Sequence, residues 1–182
     1  MSEQILIRFC APSFAGMKTG SLFSCRYSTK RTFGTELAKL NRMLKPKGMR
    51  AIPLRYGKQR VLLYVYRISA LDANFRKDEI RELLAPLGYE ITKPNRCIAK
   101  LMRRLRETDS FPHEIGLFLG YPAEDVEGFI KKGAEHSKYT GCWKVYGDVE
   151  KSKKLFEKYD RCTNVYLKAN ENLGNALQRC RH

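Results

Sequence analysis

No stretch of this chain is long and apolar enough to cross a bilayer: its longest uninterrupted apolar runs, such as residues 61–66, are a handful of residues where a span needs about 20. A secretory leader is not expected either. Ser2, Glu3 and Gln4 stand where a basic leader segment would be, and Arg8 interrupts the short apolar stretch at residues 5–9. The six cysteines, Cys10, Cys25, Cys97, Cys142, Cys162 and Cys180, form no C-x-x-C pair and share no zinc-finger spacing with the three histidines, His113, His136 and His182. Without export they read as reduced thiols of a cytoplasmic protein, so neither a disulfide nor a structural metal is expected, and no cofactor is expected. Seven prolines and 13 glycines are too scattered for a low-complexity chain, and 43% hydrophobic residues are too many for a disordered one. Acid is scarce where base is plentiful. Residues 1–71 hold 14 Lys and Arg against Glu3 and Glu36 alone.

What is present is a folded, strongly basic chain of 182 residues, with 35 Lys and Arg against 19 Asp and Glu and a net charge of +16. That length suits one domain. Residues 5–9 read as a strand leading into a connection punctuated by Gly16 and Gly20. Phe33, Leu37, Leu40 and Leu44 keep helical spacing up to Pro46 and Gly48. Residues 51–56 and 60–67 read as a hairpin whose Gly57 and Lys58 suit a type II′ turn, with Pro53 forcing an edge position or a bulge. Helices are expected over 73–85 and from Pro94 onward, and two short ones after Pro112 and Pro122. The last third reads as strand (142–146), helix (149–159, capped by Asp148), strand (163–167) and a weak terminal helix, the first three making a right-handed β-α-β crossover if the strands share a sheet. The expected architecture is a single α+β domain with a mixed sheet of about five strands. Its parts are a basic strand and hairpin region (1–71), a helical layer (72–133) and the β-α-β unit (141–170).

Charge is uneven along this plan. Residues 1–71 are net +12, residues 93–106 add six basic and no acidic side chains, and residues 107–130 carry six acids (Glu107, Asp109, Glu114, Glu124, Asp125, Glu127) and no Lys or Arg. Arg96, Lys100, Arg103 and Arg104 fall on one face of the helix from Pro94. That stripe can track phosphates, or it can be an ordinary solvated face paired with the acids that follow.

Several motifs carry a plainer reading beside the functional one. Ile115, Gly116, Leu119, Gly120 and Val126 reproduce helix-turn-helix spacing, yet the would-be reading helix carries Glu124, Asp125 and Glu127, which face phosphates with like charge. Gly16 to Ser21 resembles a phosphate loop, but Met17 stands where a Walker sequence needs glycine before its lysine. The Lys18-Thr19-Gly20 triplet has no S-x-x-K partner. Tyr64 and Tyr66 share a strand face near Arg55, Tyr56, Arg60 and Arg67, which suits base stacking unless both strand faces are buried. His113 beside Glu114, and Cys10 as a thiol, are the side chains with catalytic chemistry, though neither has a partner visible in the sequence.

The words CAPSFAGMKTGSLF (10–23), LRY (54–56), YVYR (64–67), FPHEIGLFLGYP (111–122) and WKVYGD (143–148) resemble an uncharacterised, mainly clostridial family, the domain of unknown function numbered 3793. The resemblance covers essentially the whole chain. It implies a bacterial, cytoplasmic, single-domain protein of anaerobes, whose genes often lie near flavodoxin and ferrous-iron uptake genes, and it assigns no activity. The family-like residues able to bind or react are Cys10, Lys18, Arg55, Tyr56, His113, Glu114 and Lys144. The leading reading is a binding protein, more a docking module than an enzyme, whose basic N-terminal face meets an anionic partner, either nucleic acid or an acidic redox protein such as a flavodoxin. A membrane is not among its partners, and the sequence leaves the oligomeric state open. The alternatives are a thiol- or iron-linked enzyme or sensor using Cys10 and His113, and a helix-turn-helix DNA binder disfavoured by the acidic segment.

Overall fold

The structure is a computed structural model that describes residues 2–107, 110–169 and 172–178; Asp109, Cys180 and His182 lie outside the described residues. In chain order it runs α1 (Glu3–Phe14), β1 (Gly20–Arg26), α2 (Lys30–Leu44), β2 (Met49–Tyr56), β3 (Arg60–Arg67), α3 (Ile68–Phe75), α4 (Asp78–Leu84) and α5 (Pro94–Glu107). Then follow α6 (Ile115–Leu119), α7 (Ala123–Lys132), β4 (Tyr139–Thr140), β5 (Lys144–Val145), α8 (Val149–Lys168) and α9 (Leu173–Gln178). The fold class is α+β. The strands form two antiparallel sheets, three-stranded in the order β1-β3-β2 and two-stranded β4-β5, instead of one mixed sheet. The chain divides into two compact units, residues 1–70 with 161–182, and residues 71–160. We call them the sheet unit and the helical unit.

In the sheet unit the alternation of β3 sends Val61, Leu63 and Val65 to a helix-covered face. There they meet Leu6, Ile7, Cys10 and Phe14 of α1, Phe33, Leu40 and Leu44 of α2, and Leu173 and Leu177 of α9. Each large apolar side chain taken from water contributes roughly 1.5–3 kcal/mol. Asn41 on α2 accepts from the Ala51 N–H (2.8 Å) and donates to its carbonyl (2.9 Å), satisfying backbone groups of the edge strand β2. Buried Arg67 donates to the carbonyls of Phe14 (3.2 Å) and Lys47 (3.0 Å), placing a cation at the carbonyl end of α1 and of the short turn after α2.

Two sequence expectations are corrected in this unit, and the alternative of a strand buried on both faces is borne out. Residues 5–9 are helical, because Leu6, Ile7, Cys10, Ala11 and Phe14 keep helical spacing straight through Pro12, which sits in the last turn of α1. The first strand is instead residues 20–26. The hairpin turn is displaced by one residue: Gly57 N–H donates to the Arg60 carbonyl at 2.7 Å, so Lys58 and Gln59 form the turn and Gln59, at φ 54°, takes the left-handed position. Tyr64 and Tyr66 do share a face, stacked with centroids 4.7 Å apart, but both are buried, so they offer bases no platform. The expectation for Pro53 holds twice over: β2 is an edge strand, and its register shifts between Pro53 and Arg55.

In the helical unit, the helix expected at 73–85 is broken into α3 and α4, with Lys77 in extended conformation ahead of Asp78. Among the described residues there is no β-α-β crossover. β5 is two residues long, and α8 continues as helix through 163–167: Phe156 and Tyr159 are buried in the helical unit's own cluster, and Tyr166, with half-buried Cys162, in that of the sheet unit. Asp148 does cap α8, its Oδ1 accepting from Lys151 N–H at 3.0 Å. α6 and α7 form the helix-turn-helix corner, with Gly120 left-handed at φ 82° and Gly116 lodged where a Cβ would strike Val126 at 2.7 Å.

Candidate functional site

Two arrangements gather polar side chains, one in each unit. The first is the hairpin end of the three-stranded sheet. Arg26 and Arg60 are direct cross-strand partners, a like-charge pairing that costs stability. Arg60 turns its guanidinium onto Ser24, donating from Nε to Oγ at 2.9 Å and from Nη2 to the carbonyl at 3.1 Å. Arg55 joins this face because of the bulge. Without the shift after Pro53 it would pair with Val61 and face the helices; with it, Arg55 pairs with Leu62 and shares the sheet face of Arg60 and Arg26, all three exposed. Tyr56 goes to the opposite face, 41% exposed, edge-on to Tyr27 and Phe33 with the Lys30 ammonium 5.5 Å from its ring centroid.

Unit boundaries sharpen the charge argument more than sequence halves do. The sheet unit holds 18 Lys and Arg against 3 acids, net +15, and the helical unit 17 against 16, net +1. Three carboxylates cannot neutralise the sheet unit from within.

The helical unit balances its own charge. Of the α5 stripe, Arg96 pairs with Glu90 at 2.6 Å, Arg103 with Glu107 at 3.9 Å and Arg104 with Glu114 at 2.5 Å, while Lys100 donates to the Gly88 carbonyl at 2.8 Å. That is the solvated, paired face. Glu114 is buried and also accepts from the Tyr89 hydroxyl at 2.9 Å, so it is a structural partner of Arg104 and does not form an acid/base pair with its neighbour His113.

The second arrangement is a cavity of about 240 Å³ in the helical unit, lined chiefly by His113, Tyr121, Asp125, Phe129, Trp143 and Lys144. Asp125 builds it. Only 2% exposed, its carboxylate accepts from Trp143 Nε1 (2.7 Å) and from the backbone N–H of Tyr146 (2.7 Å) and Gly147 (2.9 Å), pinning the β4-β5 hairpin to α7. Trp143 is stacked on Tyr121 with centroids 4.5 Å apart, and the His113 ring sits edge-on to Phe129 at 4.6 Å. Burial, with the nearby Cys142 adding to it, pushes the Tyr121 hydroxyl up to about 12, so it stays a protonated donor at neutral pH. The inward turn of Asp125, together with buried Val126 and Gly128, places the middle of α7 against its own unit.

The structure thus brings His113 and Lys144 to one cavity, Arg55 to the hairpin end and Tyr56 to the reverse face of that end. Cys10 and His113 belong to different units. Lys18, half-buried, follows the end of α1, where Gly16 (φ 72°) turns the chain and the Met17 N–H caps the Pro12 carbonyl at 2.8 Å. A helix end that presents carbonyls is the wrong pole for a phosphate. Cys10 is fully buried; burial pushes its thiol up to about 12, against the smaller opposing effects of the Lys18 charge and a hydrogen bond with Ser21. A thiol-labelling reagent at pH 8 should therefore leave Cys10 unmodified in the folded chain and label it only on unfolding, as peptide mass mapping would reveal. Because the folded value is raised, the contribution of Cys10 to stability is intact below about 9 and is lost as pH rises from there towards about 12. Among the described residues no three His, Cys, Asp or Glu side chains gather around a point where a metal ion would fit.

Sequence reasoning missed Arg26, and it missed the roles of Arg60 and Asp125, which the sequence puts beside Tyr64 and Tyr66 and among the acids of the would-be reading helix. The arginines needed the register of a strand read one segment too early, and Asp125 looked like a first-turn acid complementing its helix. Neither the curated proteins nor the solved structures contain a match to the chain. One family model, described as a protein of unknown function, matches residues 6–178.

Proposed function

We propose, for a chain that belongs to the DUF3793 family of proteins of unknown function, that the sheet unit is a docking module for a polyanion, with nucleic acid as the partner its chemistry fits best. The observation that carries this reading is the partition of charge, net +15 in the sheet unit against +1 in the helical unit. A positive field of that size, unanswered inside its own fold, attracts phosphate backbones and raises their encounter rate. Arg26, Arg55 and Arg60 supply planar donors suited to phosphate oxygens at the exposed end of the sheet. Their cross-strand repulsion is relieved when an anion lies between them. The protein acts in the cytoplasm as a binding module.

Salt titration tests this. Binding to a short duplex measured by fluorescence anisotropy should weaken steeply with salt, with a log-log slope of about −5 if about six phosphates are engaged, a loss of roughly a thousandfold between about 50 and about 200 mM. Replacing Arg26, Arg55 and Arg60 together by Gln should make the slope shallower by about 3. Absence of binding to both DNA and RNA at low salt would end the nucleic-acid reading and leave an acidic protein as the partner.

A further inference from the structure

We propose that the cavity of the helical unit binds a small planar aromatic anion, a one- or two-ring carboxylate or phosphate ester. Its ring would lie against Trp143 and Phe129, and its charge would meet Lys144 and His113. Size sets the first limit. A space of about 240 Å³ suits a ligand of one or two rings.

The walls set the second. Tyr121, Trp143, Phe129, Ile115 and Val126 line the cavity, and aromatic faces prefer an offset or edge-on ring as partner. Trp143 is fixed before any ligand arrives: its indole N–H is held by Asp125, one ring face is covered by Tyr121, and Phe156 meets it edge-on with centroids 4.5 Å apart. A site already rigid forfeits little ordering entropy on binding.

The polar groups set the third. The one carboxylate in the lining, Asp125, has its two oxygens engaged by three N–H donors, so it neither neutralises Lys144 nor invites a cation. Lys144 donates to Thr140 Oγ1 at 3.0 Å, which occupies one of the three hydrogens on its ammonium. His113 is exposed on the rim. Aromatic walls with the Lys144 ammonium and the His113 ring in the lining match a ring that carries an anionic substituent. This site lies wholly within the helical unit and does not depend on what the basic sheet unit binds.

The sole tryptophan of the chain is the reporter. Titrating the full-length protein with phenyl phosphate should change Trp143 emission saturably, with a Kd below about 1 mM, within reach of a ligand of this size. Benzyl alcohol, a ring without charge, and inorganic phosphate, charge without a ring, should each bind at least about tenfold more weakly. Lys144→Met should weaken phenyl phosphate by about tenfold to a hundredfold without lowering Tm, and His113→Gln provides a second, independent loss. The triple Arg26, Arg55, Arg60 variant should bind phenyl phosphate as the parent does. The proposal is overturned if neither phenyl phosphate nor benzoate gives a saturable change, if benzyl alcohol binds equally well, or if affinity survives both substitutions.

Discussion

Replacing Asp125 by Ala is expected to cost about 2–4 kcal/mol of folding stability, since three N–H donors lose a charged acceptor at once. The side chain is 2% exposed and takes three N–H donors on two oxygens. Its loss leaves an indole and two backbone amides buried without acceptors, each costing about 1–3 kcal/mol, though not additively. Asp125→Asn separates charge from geometry. The amide oxygen can replace Oδ1 towards Tyr146 and Gly147, but the amide NH₂ then faces the Trp143 N–H, donor against donor, so an intermediate loss is expected. Urea unfolding followed by Trp143 fluorescence and by circular dichroism would check both variants, and a loss below about 1 kcal/mol for Asp125→Ala would remove the carboxylate from its role as the clasp of the β4-β5 hairpin.

Glu114→Ala is expected to cost about 2–4 kcal/mol, somewhat less than the full penalty for a broken buried pair because the Arg104 side chain keeps 29% of its exposure. Both Arg104 and the Tyr89 hydroxyl lose their common acceptor. Glu114→Gln retains an acceptor without the charge and should lose less. The same cluster predicts a pH effect. Burial first, then the negative charge of Glu114 and the hydrogen bond to it, pushes the Tyr89 hydroxyl well above the ordinary tyrosine value. The neutral phenol is therefore favoured in the fold, and its stabilising contribution is intact below about pH 10 and falls away above it. Base-induced unfolding of the parent should begin in that range and be shallower in a Tyr89→Phe variant, which has no phenol to ionise.

How much of this could be read from the sequence depended on where local pattern and tertiary context agreed. α2, the β2-β3 pair and α5 were legible because their apolar spacing is unambiguous and glycine or proline marks their ends. Residues 5–9 and 163–167 misled for one reason: short runs rich in Ile, Val and aromatics carry strand propensity, and only the longer helical stripe, Leu6 to Phe14 in one case and Phe156 to Tyr166 in the other, decides the matter. The candidate residues divide similarly. His113 and Lys144 were named from motif words, but their meeting at one cavity depends on how Asp125 ties α7 to a hairpin far along the chain, which no periodicity encodes. Arg55 was named without its face, because a one-residue bulge decides which side of a strand a side chain occupies.

The sheet unit is assembled from both sides of the helical unit in the chain, and Glu3 accepts from the Leu173 N–H at 2.9 Å, so α1 meets α9 across 170 positions. During synthesis at about 5–20 residues per second, residues 71–160 are complete before the segment that closes the sheet unit has left the ribosome. Until then the side chains destined for Leu173, Ala176 and Leu177 are uncovered on a nascent chain whose emerged part is already strongly cationic. Prior folding of the insert removes about half of the flexible loop that α1 and α9 must close, a gain of only about 0.6 kcal/mol per halving. The benefit of that order is thus kinetic more than energetic: it sets which half of the protein must wait, and the one that waits is the half that carries nearly all of the net charge.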